Sequence, residues 1–105
     1  MSTKFTISGH HLEVTPALDA HAREKFGRIA EMFDMITNIH ISLEIETYLQ
    51  IAKAEVRVAG DANSIFAEAS TKDMYQSIDE LDHKVLTQVK KYHDKIKDHK
   101  DHRDH

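Results

Sequence analysis

At 105 residues with 40% hydrophobic content, the chain can bury one modest core, and a single domain is expected. It has no cysteine, which excludes a disulfide framework, a thiolate metal site and a cysteine nucleophile, and fits a reducing cytoplasmic setting. The net charge of -4 with neutral histidines argues against a uniformly basic nucleic-acid binder, but residues 84–105 hold 7 Lys+Arg against 4 Asp+Glu while residues 1–83 hold 7 against 14. Met1-Ser2-Thr3-Lys4-Phe5 lacks the apolar core of a signal peptide, and no apolar run approaches a membrane span, so a soluble protein with no membrane partner is expected.

Lys4 to Gly9 alternates, with Phe5 and Ile7 on one side and Lys4, Thr6 and Ser8 on the other, which predicts a half-buried strand. Thr15 before Pro16 reads as an N-cap before a first-turn proline, and Leu18, Ala22, Phe26, Ile29 and Phe33 recur at helical spacing. A first helix over about Pro16 to Asp34 follows. Ile39, Ile41, Leu43 and Ile45 alternate with polar residues and predict a second strand, Asn38 to Glu46. Ala52, Ala54, Val56 and Val58 predict a third, Ile51 to Ala59. Gly60-Asp61-Ala62-Asn63 is a turn, leading to a fourth strand from Ser64 to Ser70. Met74, Ile78, Leu81, Val85, Val89, Tyr92 and Ile96 then share one helical line, so a second helix is expected over Asp73 to Ile96, with Ser70 and Asp73 at capping-box spacing.

The order β-α-β-β-β-α defines an α+β fold. The crossover helix makes the first two strands parallel through a right-handed connection and puts both helices on one face of a four-stranded sheet. Residues 1–97 are expected to form this domain, and residues 98–105 a charged, His-rich, disordered tail.

The open sheet face should carry one aromatic residue, Phe66, among Glu44, Glu46, Glu55 and Glu68, a poor platform for stacking single-stranded RNA. The helices differ. Lys84, Lys91 and Lys95 lie within about 40° of one another on one flank of the second helix, with Ser77 and Gln88 continuing the line. His21, Lys25 and Arg28 follow at i, i+4 and i+7 on the first helix. If these two ridges face each other, they frame a groove suited to phosphates; the bland alternative is lysine stems covering apolar surface with their heads in water.

His99, His102 and His105 beside Asp98, Asp101 and Asp104 raise a metal-buffering alternative, but neighbouring lysines oppose a cation and a flexible tail pre-forms no site. No metal or other cofactor is expected. The serines have no nucleophile-elbow context and the three glycines form no phosphate loop, so a non-enzymatic protein is expected.

Ile7-Ser8-Gly9, Val14-Thr15-Pro16-Ala17-Leu18 and Asp73-Met74-Tyr75-Gln76-Ser77-Ile78-Asp79 resemble the hibernation promoting factor and ribosome-associated inhibitor family, over about Phe5 to Lys97. That family's fold is similar to a double-stranded-RNA-binding domain with an extra first strand. The resemblance implies a stress-induced protein that binds small-subunit ribosomal RNA at the decoding region, occupies the messenger-RNA and transfer-RNA sites and silences translation. Under it, Lys25 and Arg28 match basic positions of the first helix, and Lys84, Lys91 and Lys95 match those of the second. Thr87 stands where relatives often have arginine, and Lys90, on the opposite flank, is the substitute cation. The chain ends too early for the second domain of long members, so a monomer off the ribosome is expected, promoting ribosome dimerisation with a separate modulation factor. The tail's mixed charge favours this promoting type over the inhibitory type with its acidic tail. The remaining rival is a double-stranded-RNA-binding module acting away from ribosomes.

Overall fold

Four strands and two helices follow in the order β1 (Lys4–His10), α1 (Pro16–Met32), β2 (Ile36–Glu46), β3 (Leu49–Val58), β4 (Ser64–Thr71) and α2 (Met74–Arg103). This is a computed structural model, describing the backbone of residues 3–103 and the side chains of residues 3–95. The sheet order is β1-β2-β3-β4, with β1 parallel to β2 and the other pairs antiparallel, as the crossover helix requires.

The sheet's alternation decides where the core forms. Ile39, Ile41 and Leu43 of β2, Ala52, Ala54 and Val56 of β3 and Ala69 of β4 point to one face. Phe26 and Ile29 of α1 and Ile78, Leu81, Val85 and Val89 of α2 close over it. Alanines on β3, β4 and α1 leave room for these large side chains to interdigitate. The α+β architecture with both helices on one face is therefore the observed one.

Local chemistry sets the element ends. Thr15 Oγ1 accepts from the Leu18 N–H at 3.2 Å, with Pro16 in the first turn, so α1 starts where the sequence places it. It stops at Met32 rather than Asp34, because Phe33 turns to extended backbone and drops its ring into the core. Gly9 is required by a close approach: a Cβ there would lie 2.5 Å from the Leu12 carbonyl oxygen. The expected turn after β3 places Gly60 at φ +80°.

Two expectations about α2 are corrected. Ser70 does not cap it, because Ser70 is still paired to Ile51 in the β3–β4 ladder. Asp73 is the cap: its Oδ1 accepts from the Tyr75 N–H at 3.1 Å and its carbonyl from the Ser77 N–H at 2.9 Å. At the other end the helix continues past Ile96 to Arg103. Loss of apolar periodicity marks loss of a packing stripe, while Lys, His, Asp and Arg still propagate an established helix at small cost. The side chains of the 98–105 segment, including its histidine repeat, lie outside the described residues.

Candidate nucleic-acid interface

The segment Asp73 to Asp79 fastens α2 on both flanks. On the sheet side, Ser77 is fully buried, and its Oγ donates to the Gln50 carbonyl of β3 at 2.6 Å and lies 2.7 Å from Thr71 Oγ1. On the other side, Tyr75 meets His21 of α1 edge to face with centroids 5.2 Å apart, and Asp79 Oδ1 is 2.7 Å from His21 Nε2 and 3.7 Å from Lys25 Nζ. The rotation of α2 about its axis is thereby set.

That rotation separates the two basic ridges. The flank bearing Ser77, Lys84, Lys91 and Lys95 turns toward β4, where Lys84 Nζ donates to the Glu68 carbonyl at 2.7 Å. The flank bearing Asp79 and Asp82 turns toward α1 and its ridge of His21, Lys25 and Arg28. The ridges do not face each other across a groove; the body of α2 lies between them. Helical spacing tells which residues share a line, and only tertiary contacts tell what that line faces.

The ridges also differ in electrostatics. On α1, Lys25 is only 28% exposed and held by Asp79, while Arg28 donates to Glu24 Oε1 at 3.0 Å. Burial pushes the Asp82 carboxyl above the usual carboxylate range, and the positive charges of Lys25, His83 and Arg28 pull against that shift. On α2, Lys84, Lys90 and Lys91 are exposed and form no ion pair with any described carboxylate. Lys95 is also exposed on the Lys84 flank, and Lys90 projects from the α1 side.

Thr87 sits on the solvent face between Lys90 and Lys91, its Oγ1 returned to the His83 carbonyl at 2.9 Å. With His83, Lys84 and Gln88 it lines a shallow depression. The surface of α2 thus carries a strip of exposed lysines that no described carboxylate pairs, with Lys84 Nζ also held by the Glu68 carbonyl. Such a strip can follow a phosphate backbone and donate several charge-assisted hydrogen bonds without organising covalent chemistry.

The open sheet face is charge-balanced instead. Lys53 Nζ is 3.4 Å from Glu44 and Arg57 Nε 3.7 Å from Glu55, around a 65% exposed Phe66. Among the described residues, no three His, Asp or Glu side chains gather around a metal-sized point, and no helix is long and apolar enough to cross a membrane. Sequence reasoning missed Asp79 and Asp82 as partners of the first ridge, because nothing in the periodicity of one helix names its neighbour.

Known proteins resemble this chain in sequence and fold. The family model described as sigma 54 modulation protein / S30EA ribosomal protein matches residues 5–97. A ribosome hibernation promoting factor from Klebsiella oxytoca is 38% identical over 96 residues, covering 91% of this chain and 99% of its own length. Another, from Pseudomonas putida, is 37% identical over 89 residues, or 85% of each chain. A solved structure of a ribosomal subunit interface protein from Coxiella burnetii superposes with a TM-score of 0.79 at 36% identity, covering 86% of this chain and 97% of that one. The N-terminal domain of Thermus thermophilus Protein Y shares the fold, with a TM-score of 0.75 at 23% identity over 87% of this chain and 99% of that one.

Proposed function

The chain belongs to the sigma 54 modulation protein / S30EA ribosomal protein family, and from that premise we propose that it is a ribosome hibernation factor acting in the cytoplasm under stress. It binds small-subunit ribosomal RNA near the decoding region, fills the space of messenger RNA and transfer RNA, and silences translation by exclusion rather than catalysis. Residues 1–97 form the ribosome-binding unit. Off the ribosome it is a monomer, and on it a separate modulation factor joins in promoting ribosome dimers.

The observation that carries this reading is the set of exposed lysines on α2, Lys84, Lys90 and Lys91, that no described carboxylate neutralises. Lys84, Lys91 and Lys95 offer phosphates a line of donors on one flank, with Lys90 on the other, and Lys25, Arg28 and His21 supply a second contact line from α1. Each neutralised phosphate releases roughly 0.7 to 0.9 counterion, so affinity falls steeply with salt. The unpaired lysines of α2 support contact with phosphates, whereas the cations Lys53 and Arg57 of the sheet face are already paired with Glu44 and Glu55.

Sedimentation of extract from starved cells tests the reading. Co-migration with small subunits or whole ribosomes is expected, together with inhibition of translation in a purified system. Absence from every ribosomal fraction, with retention on short duplex RNA, would replace it by a double-stranded-RNA-binding module acting elsewhere.

A further inference from the structure

The acids facing α1 have no place in a surface built only to attract phosphate. Asp79 lies against both His21 and Lys25, and Asp82, one turn further along the same flank, is half-buried near Lys25 and Arg28. A phosphate approaching the α1 ridge must therefore displace or sit beside two carboxylates, and like charges brought together oppose binding. On the Lys84 and Lys91 flank, by contrast, no described carboxylate comes within ion-pair distance of either lysine, and Glu80, one turn before Lys84, is exposed and forms no ion pair.

Resting on the function proposed above, we propose that Asp79 and Asp82 are specificity-determining residues, which deny the α1 ridge to arbitrary single-stranded RNA and reserve it for an RNA already engaged by α2. The physical basis is effective concentration. A structured ribosomal RNA held along the α2 strip presents its next phosphate to Lys25 and Arg28 as an intramolecular partner and can overcome the carboxylates. A free strand touching α1 first meets cations already answered by their own protein, and it leaves. Specificity arises from a penalty on the wrong ligand, not from extra attraction to the right one. The arrangement also carries a folding cost, since burial disfavours the ionised Asp82 carboxylate. A residue that weakens the fold beside a binding ridge is explained if it tunes that ridge.

The test uses the full chain, purified ribosomes and a poly(U) oligomer as the arbitrary strand. Asp79→Asn and Asp82→Asn keep side-chain size and hydrogen-bonding capacity while removing charge. Glu46→Gln makes the same charge change at an exposed residue that ends β2, outside both helices, and that forms no ion pair. Each Asp variant should bind poly(U) about threefold more tightly, and the double variant about tenfold, if each exposed charge pair is worth several tenths of a kcal/mol. The logarithmic salt slope should steepen by about 0.7 for each phosphate gained. Ribosome affinity should rise less, so the ratio of ribosome to poly(U) affinity falls, whereas Glu46→Gln leaves that ratio in place. Equal effects from Glu46→Gln and the Asp variants, or unchanged poly(U) binding, would overturn the specificity role. If Lys84→Gln still weakens ribosome binding in that case, the proposed function survives and this inference alone falls. If the unmodified chain does not bind ribosomes, both fall together.

Discussion

Replacing Ser77 by alanine removes the hydroxyl that ties α2 to the sheet. Its Oγ is fully buried, donates to the Gln50 carbonyl at 2.6 Å and meets Thr71 Oγ1 at 2.7 Å. Loss of the hydrogen bond costs about 1 kcal/mol, and leaving the part-buried Gln50 carbonyl short of its partner adds about 1 to 2 kcal/mol. Alanine's better helix propensity returns about 0.5 kcal/mol, so the net loss should be about 2 kcal/mol. For a domain of this size that corresponds to a fall of about 10 °C in melting temperature. Urea denaturation followed by circular dichroism reads it as a lower midpoint with an unchanged slope. Ser70→Ala, at an exposed position on β4, is the control and should stay within about 0.5 kcal/mol. If Ser77→Ala costs no more than Ser70→Ala, the hydroxyl does not fasten α2, and the placement of its lysine flank loses its physical cause.

The backbone N–H of Asn63 and the Tyr92 hydroxyl hold the Asp61 carboxyl below its ordinary 3.8, so its stabilisation is present above 3.8 and lost as pH falls through the lower folded value. Tyr92→Phe should flatten that loss in thermal melts between pH 5 and 2. Asp82 has the opposite sign: with its folded pKa raised, stability is greatest below 3.8 and declines as pH rises through the folded value. Asp82→Asn should therefore melt higher than the unmodified chain at pH 7, and the gap should shrink in acid; a constant gap would sink the burial argument. Removing residues 98–105, a segment without apolar side chains, should leave the melting temperature within about 3 °C, and a larger fall would show that the segment belongs to the folded unit.

Much of the fold is legible because its determinants are local. Thr15-Pro16 announces a helix start through groups that bond within one turn, and Ile39, Ile41, Leu43 and Ile45 alternate because one sheet face is dry. The parallel pairing of β1 with β2 follows from the helix between them. The end of α2 is not legible, since apolar spacing reports packing rather than backbone conformation. Nor is the capping of α2, because Ser70 remains in a ladder set by β3, a long-range partner.

The two candidate basic lines are visible as His21, Lys25, Arg28 and Lys84, Lys91, Lys95, but their mutual placement is not. It depends on Ser77 meeting Gln50 and on Asp79 meeting His21, contacts that span 27 and 58 residues of sequence. The same long-range contacts hide the counter-charge on the first line, and with it the asymmetry between a neutralised ridge and an available one.

Under the proposed function, ribosome binding depends on where charge sits, on the Lys84 flank of α2, and not on total charge. Lys84, Lys91 and Lys95 changed together to Glu alter net charge by the same amount as Lys4, Lys53 and Arg57 changed together to Glu on the open sheet face. Long-range attraction treats the two triple variants alike, whereas direct phosphate contacts act within the screening length of about 8 Å at physiological salt. With circular dichroism showing both variants folded, pelleting with ribosomes decides between these possibilities. The α2 variant should stay in the supernatant and fail to inhibit translation, while the sheet variant should pellet and inhibit nearly as the unmodified chain does. Equal impairment of the two would contradict the account and leave only nonspecific charge attraction.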